Sequence, residues 1–224
     1  MRIQMKLSQL ALVICVIAIP VQGVLPPANL AQVRATIDPD IPSYIAQDSV
    51  SGRLTISTPE TMKPLVEAWA GDLIRQHPDL NVTVIRENTD AGLAALLERR
   101  AEIAAMSRRI TPTEIADFIF EYGYVPIEVP VARHASTVFV HNDNRNANFV
   151  IPSNVDRLHP VRRNLYLYIT RPSRSNPTPA TAELVHYALS RQGQELVLDL
   201  GHFPLSYAEI ARVSLKWSAC CKLP

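Results

Sequence analysis

Two stretches of this 224-residue chain combine residue types that can receive an anion. The first is Thr58-Pro59-Glu60-Thr61-Met62-Lys63-Pro64. Proline is tolerated only where its missing N–H would have gone unpaired, so Pro64 marks the opening turn of a helix that cannot begin much before Glu60. The amides of about Thr61 to Lys63 are then expected to be free, and free amides at the positive end of a helix attract negative charge. The second stretch is Asn88-Thr89-Asp90, ahead of the apolar positions Leu93, Leu96 and Leu97, where Thr89 or Asp90 is expected to cap another helix. A third turn, Met106-Ser107-Arg108, offers a hydroxyl and a guanidinium. Thr and Asp at helix starts also serve as plain caps, worth on the order of 1 kcal/mol each. Both readings stay open on the residues alone.

Other chemistries find little support. The six histidines (His77, His134, His141, His159, His186, His202) show no metal-ligand spacing, and no Ser/His/Asp or Cys/His arrangement or glycine-rich phosphate loop is present. No metal, organic cofactor or catalytic residue is expected, and an enzyme is the least supported class. The formal net charge of +1 comes without a long basic run, which argues against nucleic acid as a partner.

The elements that would position these residues follow from periodicity. Leu54 to Ser57 reads as a strand, and Leu65, Ala68, Trp69 and Leu73 as one helix face that stops near His77-Pro78. Val82 to Ile85 and Glu102 to Met106 read as further strands. A helix between them ends in Glu98-Arg99-Arg100. Thr111-Pro112-Thr113-Glu114 has the spacing of a capping box with proline at the first helical position, so a third helix runs to about Tyr122. Two β-rich runs follow, Val125 to Ala132 and Ser136 to His141, then a polar connection from Asp143 to Arg162. Leu165 to Ile169 is a last strand, and Thr178 to Leu200 carries one or two helices. Strand–helix alternation points to an α/β domain with a mostly parallel sheet flanked by helices.

The N-terminus is read as separate from the fold. Arg2 and Lys6 precede an apolar run, Ala11 to Ile19, ended by Pro20 and small residues to Gly23. That run is shorter than the roughly 20 residues a bilayer crossing needs, so residues 1–23 read as a signal peptide and no stable membrane span is expected. The protein is therefore expected in the periplasm or secreted. Residues 24–50, rich in proline, read as a mobile leader or extended arm, 51–217 as the folded domain with a shortened connection at 143–163, and 218–224 as a tail. Adjacent Cys220 and Cys221 close almost no loop and cannot staple the fold.

Several stretches carry a resemblance. Glu60-Thr61-Met62 with Trp69, Met106-Ser107-Arg108, and Phe118 through Pro126 resemble the PstS-type phosphate-binding proteins of ABC transporters. So do Val138 to Asn144, Asn164 to Tyr168, Leu189 to Gln194 and Gly201 to Leu205, all in the family's order. The resemblance implies a periplasmic binding protein type II-like fold that closes two lobes on orthophosphate, of which this chain keeps one and most of the other is missing between Asn144 and Arg163. It also implies candidate phosphate ligands: Glu60, Thr61, Thr89, Asp90, Ser107 and Arg108. An ABC permease is the implied partner, and self-association would be a second way to complete the cleft.

The retained half departs from the pattern. Thr58 and Pro59 stand where glycine and serine are usual, Arg86 to Asp90 replace a glycine-rich stretch, and His134 replaces an aspartate. Glu60 and Asp90 place carboxylates where the anion should dock. At about 4 Å and an effective dielectric near 20, each repels a unit negative charge by roughly 4 kcal/mol. The dipole attraction is only about 0.3–2 kcal/mol. The carboxylates therefore win unless Arg86 or Arg108 compensates. The expected function is binding of phosphate or another small anion with weakened phosphate affinity. The alternatives are an interaction or regulatory module that has lost its ligand, or a truncated product that folds poorly.

Overall fold

Strand β1 (Gly52–Thr58) sends Leu54 and Ile56 to one face and Thr55 and Ser57 to the other, and from Leu54 onward it is largely covered on both, so it lies in the middle of a sheet. The structure, a computed structural model, describes residues 36–46, 49–136, 161–170 and 176–220. The chain continues through α1 (Lys63–Gln76), β2 (Leu80–Arg86), α2 (Thr89–Leu97), β3 (Ile103–Met106) and α3 (Pro112–Tyr122). It then forms β4 (Ile127–Ser136), β5 (Val161–Ile169), α4 (Pro179–Leu189), α5 (Arg191–Asp199) and α6 (Tyr207–Cys220). The strands make one sheet in the order β2-β1-β3-β5-β4. β1 pairs in parallel with β2 and β3, whereas β5 runs antiparallel to β3 and β4, so every strand except β5 points the same way. This is the α/β sheet flanked by helices that the alternation predicts.

Period-two alternation splits the core between the two faces. Leu54, Ile56, Ile103, Val129, Leu165, Leu167 and Ile169 pack on one face against α1, α4, α5 and α6. Ala104, Met106, Tyr166 and Tyr168 face the other way, under Leu93 and Leu96 of α2 and Phe118 of α3. Trp69 anchors α1 by donating its indole N–H to the Gly193 carbonyl at 3.0 Å. The capping box closes as expected: Thr111 Oγ1 accepts from the Glu114 amide, Glu114 Oε2 from the Thr111 amide, and Gly123 ends α3 in the left-handed region.

Residues 36–46, within the expected leader, are an irregular segment with a turn at Pro39-Asp40, fastened to the domain. Ile41 is fully buried, the Tyr44 amide donates to Gln192 Oε1 at 2.7 Å, and the Arg191 amide to the Pro42 carbonyl at 2.8 Å. The Tyr44 hydroxyl joins buried His77 and Glu183. Burial pushes the Glu183 carboxyl up, yet hydrogen bonds from His186 and Tyr44 outweigh it and leave the pKa below its usual value.

Three expectations change. Ser136 belongs to a single strand β4 with the first β-rich run, since the ladder to β5 runs unbroken but for one bulge near Val131. The remainder of the second run, 137–141, and most of the connection lie outside the described residues, but Val161 and Arg162 at its end already pair in β5. Helix α6 follows a segment given no element in the sequence reading, and it runs past Trp217 to Cys220. Residues 1–23, expected as a signal peptide, also lie outside the described residues.

Candidate functional site

The ends of β1, β2 and β3 meet the starts of α1, α2 and α3 at one end of the sheet, where free amides and helix dipoles gather in open α/β folds. Antiparallel β5 brings its own beginning there as well. Met106, the last residue of β3, lies opposite Tyr166, so Asn164 and Arg163 reach the level of the Ser107-Arg108 turn.

The three loops depart from the expected geometry. Helix α1 begins at Lys63, and the Met62 and Lys63 amides both donate to the Pro59 carbonyl at 3.0 Å, so two of the three amides expected to be free are occupied. A proline-led turn ahead of the helix consumes them. At the second loop the cap is Asn88, not Thr89 or Asp90: its Oδ1 accepts from the Ala91 amide at 2.7 Å. Thr89 is the first residue of α2 and Asp90 the second. Asn88 is extended at ψ 168, the backbone state that lets a side chain turn back to its helix.

Each carboxylate has found an arginine. Glu60 pairs with Arg86 at 3.0 Å, both largely exposed, while exposed Thr61 sits beside it in the turn. Arg108 reaches Asp90 at 2.7 Å and grips both oxygens of Glu114, at 2.6 and 2.9 Å. The Arg108 hydrogen bond holds the Glu114 carboxyl well below the usual carboxylate range, at about 2, and the same two acids push the Arg108 guanidinium up. Glu87 accepts from the buried Ser57 hydroxyl at 3.2 Å and from Arg100 at 2.9 Å. Arg109 meets Glu128 at 3.2 Å, donates to the Tyr166 hydroxyl at 3.1 Å, and lies over that ring.

Among the described residues this end of the sheet carries a groove of about 550 Å³ lined by Ser107, Arg108, Arg109, Arg163, Asn164 and Tyr166. The structure thus brings Ser107, Arg108 and Asp90 together and leaves Glu60 with Thr61 in a separate pair. Arg163, Asn164 and Tyr166 were missed as lining residues, although Arg163-Asn164 directly precedes an apolar strand. The groove presents guanidinia, a hydroxyl and an amide, the donors that recognise an oxyanion. Among the described residues no three His, Cys, Asp or Glu side chains gather as a metal set, and no helix is long and apolar enough to cross a membrane.

The PBP superfamily domain matches residues 45–158. The phosphate-binding protein PstS of Pseudomonas aeruginosa is 36% identical over 114 residues, 51% of this chain and 35% of the relative, so the match spans about a third of that protein's length. The solved structure of a possible phosphate binding protein from Planctomyces limnophilus shares the fold, with a TM-score of 0.63 at 14% identity over 77% of this chain and 99% of that one. PstS from Borrelia burgdorferi aligns with a TM-score of 0.51 at 12% identity, covering 69% of this chain and 99% of its own.

Proposed function

Because the chain belongs to the PBP superfamily and is related to the substrate-binding proteins of phosphate ABC transporters, we propose that it is an exported solute-binding protein that receives a small oxyanion in the Ser107–Arg108–Arg163 groove. The observation that carries this reading is a groove whose lining brings three arginines together with Ser107 and Asn164 at the sheet end where helices begin, Arg109 being engaged by Glu128 as Arg108 is by Asp90 and Glu114. The carboxylate repulsion anticipated from the sequence is offset, since Arg86 and Arg108 neutralise Glu60 and Asp90. The same pairing limits affinity: Arg108 must release Asp90 or share its charge before it serves a ligand. Phosphate is the expected ligand class, held more weakly than an uncompensated arginine would hold it. Export through residues 1–23 and delivery to an ABC permease complete the proposal.

Isothermal titration of the purified chain with phosphate, at several protein concentrations, tests the binding. Saturable one-to-one heat supports solute binding, and affinity that rises with protein concentration indicates a cleft shared by two chains. No heat from a cooperatively folded sample refutes it. The second reading, an interaction module without a ligand, would then stand, favoured by the engagement of Glu60, Asp90 and Glu114 with the arginines.

A further inference from the structure

His134 and His202, 68 residues apart in sequence, meet at the β4 edge of the sheet with their Nδ1 atoms 3.4 Å apart and their rings inclined at 61°. Their neighbours clamp them there. The Arg133 amide donates to the Phe203 carbonyl at 2.9 Å and the Phe203 amide to the Arg133 carbonyl at 2.8 Å, an isolated two-bond bridge. The backbone therefore holds the two imidazoles together before any ligand arrives, and both stay partly open to solvent.

A spacing of 3.4 Å lies beyond the usual N–H hydrogen-bond range of about 2.7–3.2 Å. Two nitrogens each about 2.0–2.1 Å from a tetrahedral metal ion stand roughly 3.3–3.4 Å apart. We propose that His134 and His202 form a two-histidine site for a divalent transition-metal ion of the zinc, nickel or copper class, its remaining positions open to water or to a ligand from another molecule. No third His, Cys, Asp or Glu joins the pair among the described residues. Three charges bear on it. Arg133 is engaged by Glu209, while exposed Arg163, opposite His134 on β5, opposes a cation. Binding should therefore strengthen as salt screens Arg163. Imidazole donors suit copper, nickel and zinc, with copper(II) expected to bind tightest.

Calorimetric titration of the untagged full chain with nickel and then zinc, with the cysteines replaced by serine to remove thiolate ligands, tests the assignment. One ion per chain is expected, with H134A and H202A each weakening binding by at least about tenfold, since loss of a ligand costs no less than loss of its outer partner. Zinc should also raise the unfolding temperature of the unsubstituted pair and leave H134A/H202A unmoved. Should either variant fail to fold, the same question is put to the chain with both histidines intact: nickel must broaden the His134 and His202 imidazole resonances before those of other histidines. Equal binding in H134A/H202A, no saturable binding, or broadening that begins elsewhere overturns the proposal and leaves the pair as two packed imidazole rings.

Discussion

Arg108 is shared between two tasks, and that sharing governs the candidate groove. It joins Asp90 of α2 to Glu114 of α3, and it lines the groove as well. Asp90 is exposed, so its hold on Arg108 contributes no more than about 1 kcal/mol. Replacing Asp90 by Asn removes one competitor, and phosphate affinity is expected to rise by up to about fivefold in calorimetry; an unchanged or weaker affinity would show that Arg108 does not face the ligand. Glu114 is the better-covered partner and also completes the capping box, which glutamine supports equally well. Its carboxyl, held at about 2 by Arg108, lies below its unfolded value. The stabilisation is therefore fully present above the ordinary glutamate pKa and is lost as pH falls toward 2. Urea unfolding at pH 7 and pH 3 should show a smaller acid loss for Glu114→Gln than for the parent chain. An equal loss would mean that other carboxylates carry the acid sensitivity.

At the scale of elements, the corner between α4 and α5 leaves no room for a side chain at Gly193. A β carbon on Gly193 would overlap the Tyr187 carbonyl oxygen and stand 2.8 Å from Ala188 Cα, both backbone atoms that cannot turn aside. Helix propensity alone favours Gly193→Ala by about 1 kcal/mol. Overpacking against backbone reverses the sign, and a net loss of about 2–3 kcal/mol is expected in urea unfolding. Because Trp69 donates to the Gly193 carbonyl, its fluorescence should shift in the native baseline too. A stability gain would show that the helices separate freely. This corner also marks what could be read in advance. The strands, the first three helices and the Thr111 cap follow from periodicity and turn chemistry, because those signals act within a few residues. The direction of β5 does not, since a strand's alternation is the same whichever way its neighbour runs. The Asn88 cap was misassigned because Asn88, Thr89 and Asp90 are all capable caps, and only the backbone angles choose among them. Helix α6 escaped notice because exposed Leu215 and Tyr207 blur the stripe of Ile210, Val213 and Trp217. The groove residues Arg163 and Asn164 depend on contacts between distant segments, which no local pattern encodes, whereas Arg86 and Arg108 could be named as compensating charges from the sequence and do pair with Glu60 and Asp90.

At the scale of the whole described fold, the five-stranded sheet must stabilise itself while leaving one end open, and helix α6 decides whether it can. Ile210, Val213 and Trp217 are nearly buried in the larger core, and Glu209 is held by Arg133 of β4. Burial pushes the Glu209 carboxyl up, but hydrogen bonds from Ser206 and Arg133 prevail and keep it below its usual pKa. Burying three such apolar side chains is worth about 1.5–3 kcal/mol each, or roughly 5–9 kcal/mol together. A domain of this kind holds only about 5–15 kcal/mol in total. Terminating the chain after Leu205 should therefore remove most of its stability, and it would uncover β4, the edge strand that carries His134. The expected result is a chain that gives no cooperative urea transition and binds a hydrophobic dye. A truncated chain that still unfolds sharply, with a midpoint near that of the full chain, would place the stability in β1 to β3 and their helices, and α6 would then be a cover rather than a support.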